Sequence, residues 1–366
     1  MTINLVLVGF GNVGRRFARL LRERETRLRD HVGFETRIVG IATRRHGCLF
    51  DEEGLDAVAA ADRVESGAAL GPAADDQPDD VFSLVDRARA RLDGHVVLIE
   101  TTTLDVDTGQ PAVDHLRAGL RAGFHVITAN KGPVACAYAE LADEAERAGR
   151  SFLFEGTVLD GIPVFNFVRE TLPGVSVVGF RAILNTTTHY ILVAMERGEP
   201  FDAALARMQQ EGIAEADPSL DVEGWDAAAK TAALLNVLMD ARLSPAQIER
   251  EGIAGLPLAR VEAASASGCR LRLVARGWID AARPRGRVAL EALDPSDPLA
   301  HLGPLDNAIV FETDLLGEIA VEERRGGLVH TAYALVTDLV TTARRLGAHP
   351  SGLPRHTPSP GGRGPR

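Results

Sequence analysis

The stretch EADPSLDVEGWDAAAKTAALLNVLMD, residues 215–240, gathers five carboxylates into residues 215–226 and then sets one lysine, Lys230, among alanines. Asp226 and Lys230 are four apart, so on a helix they project from one face about one turn from each other. On a solvated helix this would be a surface ion pair worth ~0.3–0.5 kcal/mol. The flanking Ala227, Ala228, Ala229, Ala232, Ala233, Leu234 and Leu235 instead make a helix apolar nearly all round, which predicts burial. A buried lysine needs a partner to stay charged, and burial leaves its pKa open to adjustment, which suits proton exchange with a substrate oxygen. Glu215, Asp217 and Asp221 read either as an acidic turn around Pro218 or as carboxylates facing a cationic ligand. A second lysine, Lys131 in ITANKGP, follows a predicted strand, where open α/β sheets place ligands; taken alone it also reads as a solvated loop residue.

A different chemistry opens the chain. GFGNVG, residues 9–14, stands between a β-branched run, INLVLVGF, and a helical pattern carrying Val13, Phe17, Leu20, Leu21 and Leu28. In that context Gly9 allows a tight turn, Gly11 lets the backbone approach a diphosphate, and Gly14 allows close helix–strand packing, with Asn12 and Val13 opening the helix whose N-terminus faces the phosphates. A purely structural glycine turn is the alternative. After the second strand, TRIVGIAT, the chain reads Arg44 and Arg45 where an acidic residue would meet a ribose hydroxyl. Arginine there pairs with a 2′-phosphate, so NADP(H) is favoured and NAD(H) is possible; a solvated basic loop is the other reading.

These residues need a scaffold. Strands at INLVLVGF, TRIVGIAT, HVVLIETT and HVITAN alternate with helices at VGRRFARLLRERETRLRD, DVFSLVDRARARL, AVDHLRAGLRAG and PVACAYAELADEAERAG, which predicts a parallel sheet wound on both faces. From about residue 174 the texture changes to antiparallel strands, at GVSVVGFRAILN, CRLRLVARGWID, GRVALEAL and NAIVFETD, interrupted by helices. The expected fold is α/β: a Rossmann-type nucleotide domain over residues 1–150, an α+β catalytic and dimerisation domain over 151–314, and a C-terminal segment over 315–348 whose helix returns to the first domain. Residues 349–366, rich in Pro and Gly, are expected to be disordered.

Composition excludes several classes. With a net charge of −11 and a pI near 5.4, the chain lacks the clustered cations of a nucleic-acid binder. No apolar run reaches the ~18 residues needed to span a bilayer. The three cysteines, Cys48, Cys136 and Cys269, fit neither a disulfide framework nor zinc spacing, so reduced thiols in a cytoplasmic protein are expected.

GFGNVG, VITANKGP, FEGTVLDGIP, ILNTTTHYIL, AEADPSLDVEGWDAAAK and DNAIVFETD occur in an order and spacing that resembles homoserine dehydrogenases, to about residue 345. The resemblance implies reversible NAD(P)H-dependent reduction of L-aspartate 4-semialdehyde to L-homoserine by a homodimer or higher homo-oligomer. It implies Lys230 as catalytic acid/base supported by Asp226, with Lys131 facing substrate and nicotinamide. It further implies Glu215, Asp221 and Thr187 at the substrate, Thr101 and Thr102 beside the nicotinamide, and Glu155 with the carbonyls of Val158 and Asp160 around a structural monovalent cation such as Na+. The chain looks like a short form without the family's regulatory extension.

Four departures from the family motifs cluster around the substrate pocket that the resemblance implies: Leu159-Asp160-Gly161 for a glycine-rich G-G-G or G-A-G, Thr186 and His189 in NTTTHY, Ile213 where a tyrosine is common, and Arg324–Gly327 for a late G-A-G. They leave open a related dehydrogenase of another small amino or hydroxy acid. A dinucleotide-sensing protein without turnover is the third reading.

Overall fold

The structure is a computed structural model and describes residues 1–71, 76–214 and 217–349. The first half carries β1 (Thr2–Val8), α1 (Asn12–Val32), β2 (Glu35–Ala42), β3 (Cys48–Phe50), α2 (Ala57–Glu65), α3 (Val81–Arg91), β4 (His95–Glu100), α4 (Ala112–Arg121), β5 (His125–Thr128), α5 (Lys131–Ala148) and β6 (Phe152–Leu153). Its sheet runs β3-β2-β1-β4-β5-β6, parallel except for the antiparallel edge β3. The strand periodicity of two divides β1 between two cores: Ile3, Leu5 and Leu7 face the side of α1, and Val6 and Val8 face that of α3 and α4. Order reverses between β1 and β4, so the crevice at their carboxyl ends is the topological switch point where such sheets take ligands.

The second half carries α6 (Val164–Asn166), β7 (Val177–Ile183), α7 (Thr186–Met195), α8 (Phe201–Gln210), α9 (Ser219–Val222), α10 (Trp225–Leu238), β8 (Glu249–Arg250), α11 (Leu258–Ala266), β9 (Arg270–Asp280), β10 (Arg283–Leu293), β11 (Asn307–Thr313), β12 (Gly317–Glu323) and α12 (Leu328–Arg345). Its six strands are ordered β12-β11-β7-β9-β10-β8, antiparallel apart from the β8–β10 pair. Gly277 and Gly286 are opposite each other on β9 and β10. A Cβ at either would come within 2.9 Å of Leu235, so the glycine pair opens the groove that lets α10 lie down on the sheet.

Sequence patterning misses β3, β6, β8, β12 and α2. The four strands are the edges of the two sheets, and α2 is a short, alanine-rich helix. The boundary expected at residue 314 needs correction, because β12 pairs with β11 along its length and belongs to the second sheet. Only α12 returns: Ala332, Leu335, Val336, Leu339 and Ala343 join the core of Ile3, Leu5 and Phe17. Residues 350–366, nearly all of the segment expected to be disordered, lie outside the described residues. Among the described residues no helix is long and apolar enough to cross a membrane.

Candidate active site

A cavity of about 640 Å3 opens at the switch point, lined by Gly9, Gly11, Arg44, Arg45, Thr101 and Thr102 among others. Each glycine of GFGNVG meets a different constraint. Gly9 has φ +86°, and a Cβ there would lie 2.6 Å from the Thr101 backbone; at Gly14 it would lie 2.8 Å from the Gly9 carbonyl. At Gly11 nothing stands within 4 Å, which leaves the open space a diphosphate needs beside the N-terminus of α1. Asn12 and Val13 form the first turn of that helix. The Thr101 hydroxyl donates to the Gly9 carbonyl at 2.8 Å, bracing the loop. Thr102 is tied back to buried Glu100, whose other oxygen accepts from Thr128 at 2.7 Å. Arg44 and Arg45 are exposed at the rim, free to reach a ligand.

The second cluster forms where the two halves meet. Lys131 opens α5 at the carboxyl end of β5, and its Nζ lies 2.5 Å from Asp226 Oδ1. Lys230 Nζ lies 3.1 Å from Asp226 Oδ2 and donates to the Leu184 carbonyl at 2.6 Å. One carboxylate therefore holds two lysines that are 99 residues apart. The i,i+4 pair expected from sequence is present, and α10 is buried nearly all round as its alanines require. Asn185 caps α7 by accepting from Thr188 N at 2.9 Å, and its Nδ2 donates to Asp221 at 2.6 Å and Asp226 at 3.0 Å. Burial alone would raise the Asp226 pKa, but the charges of Lys131 and Lys230 outweigh it and hold the carboxyl well below the usual range. For Lys230 burial works downward, and Asp226, Asp160 and Asp221 overcome it to raise the pKa. Asp221 is pushed up by burial and by the neighbouring Asp226 charge.

A dinucleotide cleft beside a lysine–carboxylate–lysine bridge is the equipment of a hydride-transfer enzyme, and comparison with known proteins identifies which. Residues 9–155 match the family model described as "Homoserine dehydrogenase, NAD binding domain", and residues 163–340 match "Homoserine dehydrogenase". The chain belongs to the homoserine dehydrogenase family. An NAD(+)-dependent homoserine dehydrogenase of Pseudomonas canavaninivorans is 35% identical over 92% of this chain and 95% of its own length. A putative homoserine dehydrogenase from Archaeoglobus fulgidus superposes with a TM-score of 0.79 at 30% identity, covering 93% of this chain and 98% of that one. A hyperthermophilic archaeal homoserine dehydrogenase in complex with NADPH does so at 0.77 and 28% identity, covering 94% and 98%.

Against that family, the remaining candidates fall as follows. Glu215 lies outside the described residues. Thr187 sits in the first turn of α7, close enough to act on Asp221. The Glu155 carboxylate accepts from the amides of Phe165 and Asn166 at 2.8 and 2.7 Å, capping the turn at α6. Its own amide donates at 2.7 Å to Asp338, a buried acid that burial and the Glu155 charge push up to about 8. Two adjoining buried acids suit a cation, yet among the described residues no group of three or more acidic, histidine or cysteine side chains could hold a metal ion, so backbone carbonyls such as those of Val158 and Asp160 would complete any such site. One departure leaves the pocket. His189 is buried with Nε2 2.9 Å from the Gly303 carbonyl, and burial followed by the Arg272 charge lowers its pKa to about 4, so it is a neutral core residue. Ile213 is exposed.

Sequence reasoning missed Asn185, although it lies inside the quoted ILNTTTHYIL motif. The available signal was positional: an asparagine between a strand and a helix reads as an N-cap, and a cap side chain at such a junction faces the ligand end of the fold. Asn130 is the second such residue. It caps α5 by accepting from Gly132 N at 3.0 Å and reaches the Thr102 and Thr103 carbonyls at 3.2 and 3.3 Å, which locks Lys131 to the cofactor loop.

Proposed function

We propose that the protein interconverts L-homoserine and L-aspartate 4-semialdehyde with NADP(H) preferred and NAD(H) accepted. The observation that carries this reading is the bridge of Lys131 and Lys230 across Asp226, tied through Asn130 to Thr102 and Thr103 of the switch-point cleft. The dinucleotide, when bound, takes or supplies the hydride. In the reducing direction the Lys230 ammonium hands a proton to the aldehyde oxygen as it becomes an alkoxide; in the oxidising direction the neutral amine takes the hydroxyl proton. Asp226 fixes both lysines, Asp221 and Thr187 face the amino-acid part of the substrate, and Glu215 is assigned to the substrate from the family motif alone. Support for NADP(H) is the arginine pair at the cleft rim and the absence of an acid at Thr43–Arg45; the NAD(+) dependence of the Pseudomonas relative is that protein's own.

A monovalent cation at Glu155, a homo-oligomer built on the second sheet and a cytoplasmic location complete the proposal, supported by the Glu155–Asp338 acid pair, by the part-exposed Trp278 and Ile279 on β9, and by the three free cysteines. The test is cofactor reduction followed by absorbance with L-homoserine, supplied with NADP+ and with NAD+. Turnover of homoserine is expected; a protein that binds the dinucleotide yet oxidises only other small hydroxy or amino acids would support the second reading, which Asp160 and Thr186 in the pocket motifs favour.

A further inference from the structure

Glu100 ends β4 at the switch point and is fully buried. Its register partners are Val8 on β1 and Thr128 on β5, at a level of the sheet where an apolar side chain would pack without cost. A carboxylate buried there is unfavourable unless hydrogen bonds satisfy it, and burial is the main cause that pushes its pKa up. The groups that offset burial are hydroxyls and amides, from Thr102, Thr128 and Asn130. These residues lie on two segments that meet at the cleft, residues 101–103 after β4 and residues 128–131 at the end of β5.

The two carboxylate oxygens divide these segments between them. Oε1 accepts from the Thr102 amide at 2.7 Å and from the Thr102 hydroxyl, which holds the loop that lines the dinucleotide cavity. Oε2 accepts from the Thr128 hydroxyl at 2.7 Å, and that hydroxyl accepts in turn from the Asn130 amide at 2.9 Å. Asn130 closes the circuit by donating back to the Thr102 carbonyl at 3.2 Å. The next residue is Lys131, whose Nζ lies 2.5 Å from Asp226. A carboxylate only accepts, so it serves all three donors at once. A carboxamide would have to donate from one end, and the Thr128 hydroxyl, already accepting from Asn130, would receive a second donor and lose its own acceptor.

We infer that Glu100 is a positioning residue for the reaction: it holds the cofactor loop and the Lys131 turn at one fixed separation, with the Thr128 hydroxyl as the relay to the lysine. Its two arms do different things. The Thr102 arm shapes the dinucleotide cleft, and the Thr128 arm aims Lys131 and, through Asp226, the lysine bridge. Loss of either arm therefore shows in a different constant. A displacement of about 1 Å at the reacting groups can cost ~10²-fold in rate. The assignment rests on the homoserine reading above and adds a residue to that site.

The experiment measures initial rates of L-homoserine oxidation and dinucleotide affinity for the full chain, Thr128→Val, Thr128→Ser and Glu100→Gln. Thr128→Val deletes the relay hydroxyl and leaves the Thr102 arm in place. Its kcat is expected to fall about ten- to hundredfold, with homoserine KM and dinucleotide affinity within a few-fold of wild type. Thr128→Ser, which keeps the hydroxyl, should recover most of that loss. Glu100→Gln should lose kcat to a similar extent and also bind the dinucleotide about tenfold more weakly; if it does not fold, the two Thr128 variants carry the test. A Thr128→Val enzyme with unchanged kcat overturns the assignment, as does a loss that Thr128→Ser fails to recover or one confined to KM or to melting temperature. A wild type that oxidises no homoserine counts against the proposed function instead. The variants are then read on dinucleotide affinity, where Glu100→Gln must weaken binding and Thr128→Val must not for the assignment to stand.

Discussion

Replacing Lys230 by methionine removes the ammonium and keeps most of the side-chain volume. Two contacts go, the 2.6 Å bond to the Leu184 carbonyl and the 3.1 Å pairing with Asp226 Oδ2. Truncating one partner of a buried pair costs ~3–5 kcal/mol when the other charge is left alone. Here Asp226 keeps Lys131 at 2.5 Å and Asn185 at 3.0 Å, so the loss should sit nearer the ~1–3 kcal/mol of an unsatisfied buried acceptor, and the fold should survive. Turnover should behave differently. Removing a positioned acid/base lowers kcat by roughly 10²–10⁴, equivalent to about 3–5 kcal/mol in the barrier. The assay is initial-rate oxidation of L-homoserine, with dinucleotide affinity measured in parallel by calorimetry. A Lys230→Met enzyme that binds cofactor and turns over within a few-fold of wild type would refute the role of Lys230 and shift proton transfer to Lys131.

Arg44→Ala should weaken NADP(H) binding about ten- to hundredfold and leave NAD(H) nearly unchanged, checked by titrating each cofactor; equal losses would make the arginine structural. Because Asp226, Asp160 and Asp221 raise the Lys230 pKa, its neutral form grows with pH, so homoserine oxidation should accelerate from pH 7 into the alkaline range, and a flat profile would contradict the assigned base. Asp338 has a folded pKa raised to about 8, so it binds its proton more tightly folded than unfolded: its stabilisation is complete below the unfolded value near 4 and is lost as pH rises through 8. The melting temperature should therefore fall between pH 5 and 8.5, and Asp338→Asn should flatten that decline; added Na+ should flatten it too if a cation seats at Glu155.

The nucleotide half was legible because its signals are local. A glycine turn between a strand and a helix lies within a few residues, and the constraints at Gly9 and Gly14 are those the pattern requires. The Asp226–Lys230 pair was legible for the same reason, since a helix fixes the spacing. What escaped was whatever depends on distant chain segments. Lys131 reaches Asp226 across 95 residues, and nothing in ITANKGP says which acid it will meet. His189 failed in the opposite sense: its place in a family motif put it at the pocket, while burial against Gly303 makes it part of the core.

The lysine bridge depends on two helices holding still against each other, and the structure shows how that is arranged. α5, which begins with Lys131, is broken at Ala137, where φ −143° and ψ 26° leave the helical region. Such a break deprives carbonyls one turn earlier of their amide donors, and inside a protein those carbonyls must find others. Asn236 supplies them: from α10 its Nδ2 reaches the Val134 and Ala135 carbonyls at 3.3 and 3.2 Å, and the Leu243 carbonyl at 2.9 Å. Its Oδ1 accepts from Leu243 N at 2.9 Å, so the amide is held on both sides. The same α10 carries Asp226 and Lys230 ten and six positions earlier, about 15 and 9 Å along the helix axis at ~1.5 Å per residue. Asn236 at one end and the Lys131–Asp226 contact at the other thus clamp the two helices at separated points, which fixes translation and rotation together. A lysine that must meet a substrate oxygen to within a fraction of an ångström needs such a two-point fixing, since a single contact would leave the helix free to pivot.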